Sequence, residues 1–343
     1  MSFQFSHDET FEAAFRRLIK EQITKAHKHL ALRDDPARSV HEPRKCMKRL
    51  RALMRLYRPA LGKSDYASEN ARYRDMGRLL SASRDRQVMA ETVSALIDDF
   101  KKNHKPGKSK SLRDGLAALS DILDQETGKI QSKIDDVRGQ QALRRRLILM
   151  LDEAQQELGL LRLDGHGFSI VGRGLERSTQ RGLRAFLRVR KSNDDDVLHD
   201  WRKSVQVHWR HMALFQQAWP DFFAFRIRAS KQLSMILGDH QDLCLVSDFM
   251  RSLPPHLLHP KQAKALLKDI KKRKQVLRDK ALLGGALLFA DDPKVLSLQI
   301  EKYWMIWRQD PRQIGPKTSK TNRHSKRLPL RDKKDPFKLA GDL

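Results

Sequence analysis

Between Cys46 and Tyr57 the apolar side chains fall at Cys46, Met47, Leu50, Leu53, Met54 and Tyr57, which is the recurrence of one face of an α-helix. The strict apolar–polar alternation of a half-buried strand is absent from the chain. Long stretches are instead rich in Leu, Ala, Arg, Lys, Gln and Glu, all good helix formers. Turn-forming clusters interrupt them at Asp34-Asp35-Pro36, Leu61-Gly62-Lys63-Ser64, His104-Lys105-Pro106-Gly107, Gly165-His166-Gly167, Ser192-Asn193-Asp194, Trp219-Pro220-Asp221, Leu253-Pro254-Pro255 and Asp291-Asp292-Pro293. The pattern predicts an all-α protein with four or five helices in each half.

Two short sequences recur at nearly the same offset. His41-Glu42-Pro43-Arg44-Lys45 is echoed by His199-Asp200-Trp201-Arg202-Lys203, each opening a predicted helix. Gly77-Arg78-Leu79-Leu80 through Arg84-Asp85 is echoed by Lys231 through Asp242. Two matches at one offset point to a tandem duplication. The predicted order in each half is a basic helix, the H-x-x-R-K helix, and a helix that ends before Asp85 or Asp242. These readings give one domain over residues 1–310, with halves at about 8–160 and 168–308. From Pro311 to the end, Pro, Gly, Ser, Thr, Lys and Arg dominate, and 311–343 is read as a basic, disordered tail.

Charge changes the picture. On a wheel started at His41, Arg44, Lys45, Lys48, Arg51 and Arg55 share one stripe opposite the apolar face, and nothing acidic lies between Pro43 and Arg58. A solvated helix face mixes signs, because opposite charges at i,i+4 stabilise by about 0.2–0.5 kcal/mol and like charges destabilise. A stripe of one sign therefore calls for an external anion. Arg72, Arg74 and Arg78 add a second cationic row on the companion helix. The whole chain carries a formal net charge of +27, which points to a polyanion: nucleic acid, polyphosphate or an anionic membrane. Arg offers a planar fork to phosphate oxygens and Lys a mobile point charge, a mixture that suits a flexible polyanion.

Other chemistry is sparse. Cys46 and Cys244 form no C-x-x-C pair, which fits a reducing compartment, and the N-terminal residues lack the pattern of a signal peptide. The longest apolar run, Ala281 to Ala290, is too short for a bilayer core of about 30 Å. No membrane association and a cytoplasmic location are expected. His199, His208 and His211 point in different directions on the wheel and do not converge on one ion, so neither metal nor cofactor is expected. Asp85 and Asp242 read as salt-bridge or capping residues, and Trp201 and Trp209 as core.

These residues resemble the CHAD family, the characteristic-histidine α-helical domains. The resemblance rests on His41 through Lys45 with Lys48, Arg49 and Arg51; Glu69 through Asp85; Gly174 through Gly182; His199 through Lys203 with His208 and Trp209; and Leu237 through Leu243. It spans about residues 8–285. It implies two pseudo-twofold-related helical bundles around a basic central cavity that binds inorganic polyphosphate without catalysis, with targeting to polyphosphate granules. By residue, it implies that His41, Arg44, Lys45, Lys48, Arg49, Arg51, Arg55, Arg72, Arg74, Arg78, Arg177, Arg181, His199, Arg202, Lys203, Arg210 and Lys231 line the site. The second half departs from the pattern, with Gln206, Val207, Trp209 and Ala213 where the first has Lys48, Arg49, Arg51 and Arg55. It should therefore bind less strongly, through Arg202, Lys203 and Arg210. A nucleic-acid binder is the alternative, although aromatics are only 7% of residues and no zinc, OB or RRM signature is present. An enzyme of polyphosphate or triphosphate metabolism is a more distant one, since the chain has neither a Walker loop nor a clustered acidic set.

Overall fold

A computed structural model describes residues 3–32, 36–80, 84–103, 109–134 and 137–309. The predicted breaks at 34–35 and 104–107, the side chain of Asp85 and the tail from 311 lie outside the described residues. Among those described there are eleven α-helices and one 3-10 turn, and no strand. The helices are α1 (Phe11–Ala31), α2 (Pro36–Leu61), α3 (Lys63–Leu79), α4 (Arg84–Asn103), α5 (Lys110–Ile134), α6 (Val137–Glu157), α7 (Ser169–Lys191), α8 (Asp195–Leu214), α9 (Pro220–Ser252), α10 (Pro260–Leu288) and α11 (Pro293–Arg308). No helix among the described residues is long and apolar enough to cross a membrane.

Local chemistry sets most of the boundaries. Thr10, Asp194 and Asp292 cap α1, α8 and α11 by accepting hydrogen bonds from the Ala13, Asp196 and Lys294 amides at 3.2, 2.9 and 2.8 Å. Gly62, with φ 76°, turns the chain between α2 and α3. Both motif helices begin earlier than the motif does, at Pro36 and Asp195 instead of His41 and His199. Pro43 therefore sits inside α2 and leaves one backbone hydrogen bond unmade. The helix expected to end before Asp242 does not: α9 runs on to Ser252, and Asp242 lies in its interior, not at a cap. α9 passes through Gly238, where Arg202 of α8 packs so closely that its guanidinium would lie 2.9 Å from a Cβ at that position.

The packing order recurs along the chain: α2 lies against α1 and α3, and α8 against α7 and α9. The main core nonetheless draws on both halves, running from Phe3 to Trp304 through Phe11, Tyr57, Phe168 and Phe215. A second core joins α4, α5, α9 and α10, and a third joins α7 through α10. On α2 the apolar face read from sequence is inside: Cys46, Leu50, Leu53, Met54 and Tyr57 are 0% exposed and Met47 is 2% exposed. Each large side chain buried this way contributes about 1.5–3 kcal/mol.

Two contacts fix α2 against the second half. At Gly174 of α7 a Cβ would lie 1.7 Å from the Leu56 carbonyl oxygen, so the helices meet backbone to backbone and only glycine fits. His211 of α8 reaches the same stretch, its Nε2 donating to the Ala52 carbonyl at 2.9 Å while Nδ1 lies 3.1 Å from the Ser178 hydroxyl of α7. This places the middle of α2 beside α7 and α8.

Candidate functional site

The crossing of α2, α3, α7 and α8 gathers arginines. Arg51 and Arg55 stand one turn apart on the outer side of α2, both partly buried. Burial lowers the pKa of Arg51 to about 10, helped by the charges of Arg55, Arg74 and Arg78; its Nε donates to Asn70 Oδ1 at 3.4 Å. Arg55 is lowered by burial and by Arg181 of α7, with Tyr66 acting the other way, and its Nε is buried without a partner. Arg210 of α8 is lowered to about 9 by burial and then by Arg49 and Arg55. Its Nη1 donates to the Gln206 carbonyl at 2.5 Å, but its Nε is buried without a partner. The groups pressing on Arg55 and Arg210 are other guanidiniums and the Tyr66 phenol; no carboxylate is among them. A guanidinium stays protonated at neutral pH even so, and burial is the first cause of each depression.

Aromatic rings share in the cluster. Arg58 lies over Tyr66 at 4.7 Å, and Trp209 receives Arg210 at 4.2 Å and Lys231 of α9 at 5.2 Å. Trp201 is fully buried as core, whereas Trp209 is only partly buried and stacks cations. Arg49 leans on Phe3 at 5.7 Å and donates to Gln22 at 3.2 Å. Asp75 answers Arg74 and Arg78, at 2.9 and 3.6 Å.

Other sequence-predicted residues are placed elsewhere or are engaged by acids. Lys45 pairs with Glu42 at 2.7 Å, and Lys25 of α1 holds the same carboxylate at 3.0 Å; together they lower its pKa to about 2. Arg72 bridges Glu69 at 2.9 Å and Glu157 of α6. His41 and Arg44 are partly buried and Lys48 exposed on α2, and Arg177 is exposed on α7. The second-half motif lies among carboxylates. Lys203 pairs with Asp200 at 3.0 Å, while burial lowers Arg202 and Asp242 and Asp239 pull it back up. Those two acids line a groove of about 740 Å³ between α4, α9 and α10, with Glu91, Asp99 and Asp269. His199 is lowered by burial and then by Lys203 and Arg202, with its Nδ1 unpaired. Of the three second-half cations expected to bind anion, only Arg210 joins the cluster.

His208 and His211 are engaged separately. His211 is the cross-link to α2 already described, and His208 packs against the Phe289 ring at 5.7 Å. Burial is the main cause that holds them at about 3 and about 4, as neutral rings. Residues 17–251 match the family model of the CHAD domain. The chain belongs to the CHAD family. Among solved structures, PptA from Streptomyces chartreusis is similar over 82% of this chain and 100% of its own, with 12% identity and a TM-score of 0.58. A crystal structure of the CHAD domain from the plant Ricinus communis is 17% identical over 89% and 95%, with a TM-score of 0.47. No curated protein matches the sequence.

The CHAD match runs from within α1 to nearly the end of α9, and takes in each member of the arginine cluster. Within this CHAD domain the cations are held by helices on a shared core, so their positions are set before any ligand arrives. Several forked donors with incomplete hydrogen bonding can take anion oxygens. They are also flanked by exposed cations, Arg58, Arg78, Arg181 and Lys231, that widen the positive field.

Proposed function

We propose that this protein is a non-catalytic binder of inorganic polyphosphate, which it holds across Arg49, Arg51, Arg55, Arg74, Arg78, Arg181, Arg210 and Lys231. The observation that carries the reading is the convergence of Arg55 and Arg210 from separate helices, each with a buried, unpaired Nε and no carboxylate pressing on it. Leaving a buried donor unmade costs about 1–3 kcal/mol, and a phosphate oxygen would recover it. Family membership supports the same ligand. An unbranched phosphate chain fits better than a duplex, since it is flexible enough to meet guanidiniums at several depths, whereas duplex phosphates lie on a rigid, wide surface. Binding of this kind would bring the protein to polyphosphate granules.

The test is displacement of labelled long-chain polyphosphate by duplex DNA and by single-stranded RNA at equal phosphate concentration and physiological salt, with orthophosphate release followed in parallel. Polyphosphate should outcompete both nucleic acids, and no orthophosphate should appear. Equal competition by DNA would make the protein a general phosphodiester binder, and sustained release of orthophosphate would make it an enzyme.

A further inference from the structure

Away from the arginine cluster, three donor groups meet where the first turn of α8 comes against α9 and α10. His240 and Cys244 are four residues apart and so share one face of α9. Cys244 Sγ lies 3.6 Å from His240 Nδ1. Asp195, in the first turn of α8, places its Oδ1 3.6 Å from His240 Nε2. One ligand atom from each residue can be chosen so that all three lie within 4.8 Å of one another. His240 and Cys244 are buried, whereas the Asp195 side chain is 42% exposed, so the group is closed on the α9 side and open to solvent at the carboxylate. Lys274 of α10 pairs with Asp195 through the other carboxylate oxygen, and its side chain is 17% exposed.

We propose that Asp195, His240 and Cys244 form a binding site for a thiophilic divalent transition metal, zinc foremost, and that Lys274 is an internal cation which the metal displaces. A thiolate, an imidazole and a carboxylate are the donors zinc takes, with bonds of about 2.0–2.3 Å, and three protein ligands leave a fourth tetrahedral position for water. Tetrahedral bonds of that length set ligand atoms roughly 3.3–3.8 Å apart, so side-chain adjustments of about 1 Å close the set around an ion. Magnesium and calcium are disfavoured, because two of the three donors are nitrogen and sulfur. Charge balances in both states. Without metal, the Asp195 carboxylate is offset by the Lys274 ammonium and Cys244 is a neutral thiol. With metal, carboxylate and thiolate offset the divalent ion, the thiol proton leaves to solvent, and the ammonium turns outward to water. The three ligands and Lys274 thus balance in either state, beside the buried Arg278 of α10, whose charge also reaches His240.

The test is cobalt titration of the chelator-treated full chain, read by absorption. One equivalent should give a thiolate-to-cobalt charge-transfer band together with the visible bands of tetrahedral cobalt, and zinc should abolish both. Cys244→Ser should remove the charge-transfer band. Lys274→Met should tighten cobalt binding by about tenfold, the effect of deleting one competing charge from a partly buried site; a merely structural ion pair gives no such gain. If Cys244→Ser does not fold, Asp195→Asn carries the readout and should weaken binding. The proposal is overturned if neither wild type nor Lys274→Met develops the band, or if the band survives in Cys244→Ser, which would assign it to Cys46. Polyphosphate affinity in Cys244→Ser should equal wild type, so this outcome is independent of the arginine cluster.

Discussion

Replacing Arg55 with Met should make the free protein more stable and the complex weaker. Met keeps an unbranched stem of similar reach, so it can fill the slot that the arginine stem occupies against α2 and α7. What disappears is a desolvated guanidinium that repels Arg51, Arg181 and Arg210 and whose Nε has no partner. Removing an unsatisfied buried donor recovers about 1–3 kcal/mol, which for a domain of this size raises Tm by about 1.5–5 °C. On the bound side, one charge-assisted hydrogen bond is lost, worth about 1.5–3 kcal/mol, or about 10- to 150-fold in Kd. The dependence of log K on log salt should also flatten by about 0.7, the contribution of one phosphate contact on a single-stranded polyanion. Differential scanning calorimetry without ligand and polyphosphate titrations at several salt concentrations measure both halves. A variant with lowered Tm and unchanged affinity would show that Arg55 is an ordinary structural residue and would refute the reasoning.

Gly174→Ala should lower stability by more than about 3 kcal/mol in urea, because its Cβ would lie 1.7 Å from the Leu56 carbonyl oxygen and must push α7 off α2; a loss under about 1 kcal/mol would mean that the backbones do not meet there. His208 and His211 are held mainly by burial at about 3 and about 4, against about 6.5 in an unfolded chain. The unfolded state therefore takes up protons first, and the stability these rings contribute is complete above pH 6.5 and is lost as pH falls toward 4, by up to about 1.4 kcal/mol per pH unit for each ring. His208→Gln should flatten the slope of stability against pH between 4 and 6.5 by about one proton, and an unchanged slope would show that His208 does not enter the fold as a neutral ring.

The helical class was legible because breakers and caps are local: Gly62, Asp194, Pro220 and Asp292 act within a turn of themselves. The continuity of α9 was not. The echo of Asp85 at Asp242 suggested a helix end, whereas α9 runs on to Ser252, with Arg202 of α8 packed against Gly238 on the way. The cationic stripe was likewise visible in α2, and Arg51 and Arg55 are its half-buried centre. Which cations carry free capacity could not be read locally, since Lys25 joins Lys45 on Glu42 from another helix and Glu157 claims Arg72 from far along the chain. Arg210 enters from the half with fewer cations because His211 and Gly174 bring α8 and α7 onto the middle of α2. Tyr66 and Trp209 carry no motif that marks them as partners of arginine; only the crossing of the helices does.

The central claim, that the arginine cluster holds the polyanion, is tested most directly by comparing two multiple variants. One has Arg51, Arg55 and Arg210 each changed to Met, and the other has Arg202 and Lys203 changed to Ala. Long-chain polyphosphate affinity is measured for both and for wild type across a range of salt concentrations, with folding checked by circular dichroism. The account predicts that the first loses at least about a hundredfold in affinity and about 2 in salt slope, while the second stays within a few-fold of wild type, because Arg202 and Lys203 already face carboxylates. Equal losses in the two variants, or a wild-type salt slope in the first, would contradict it.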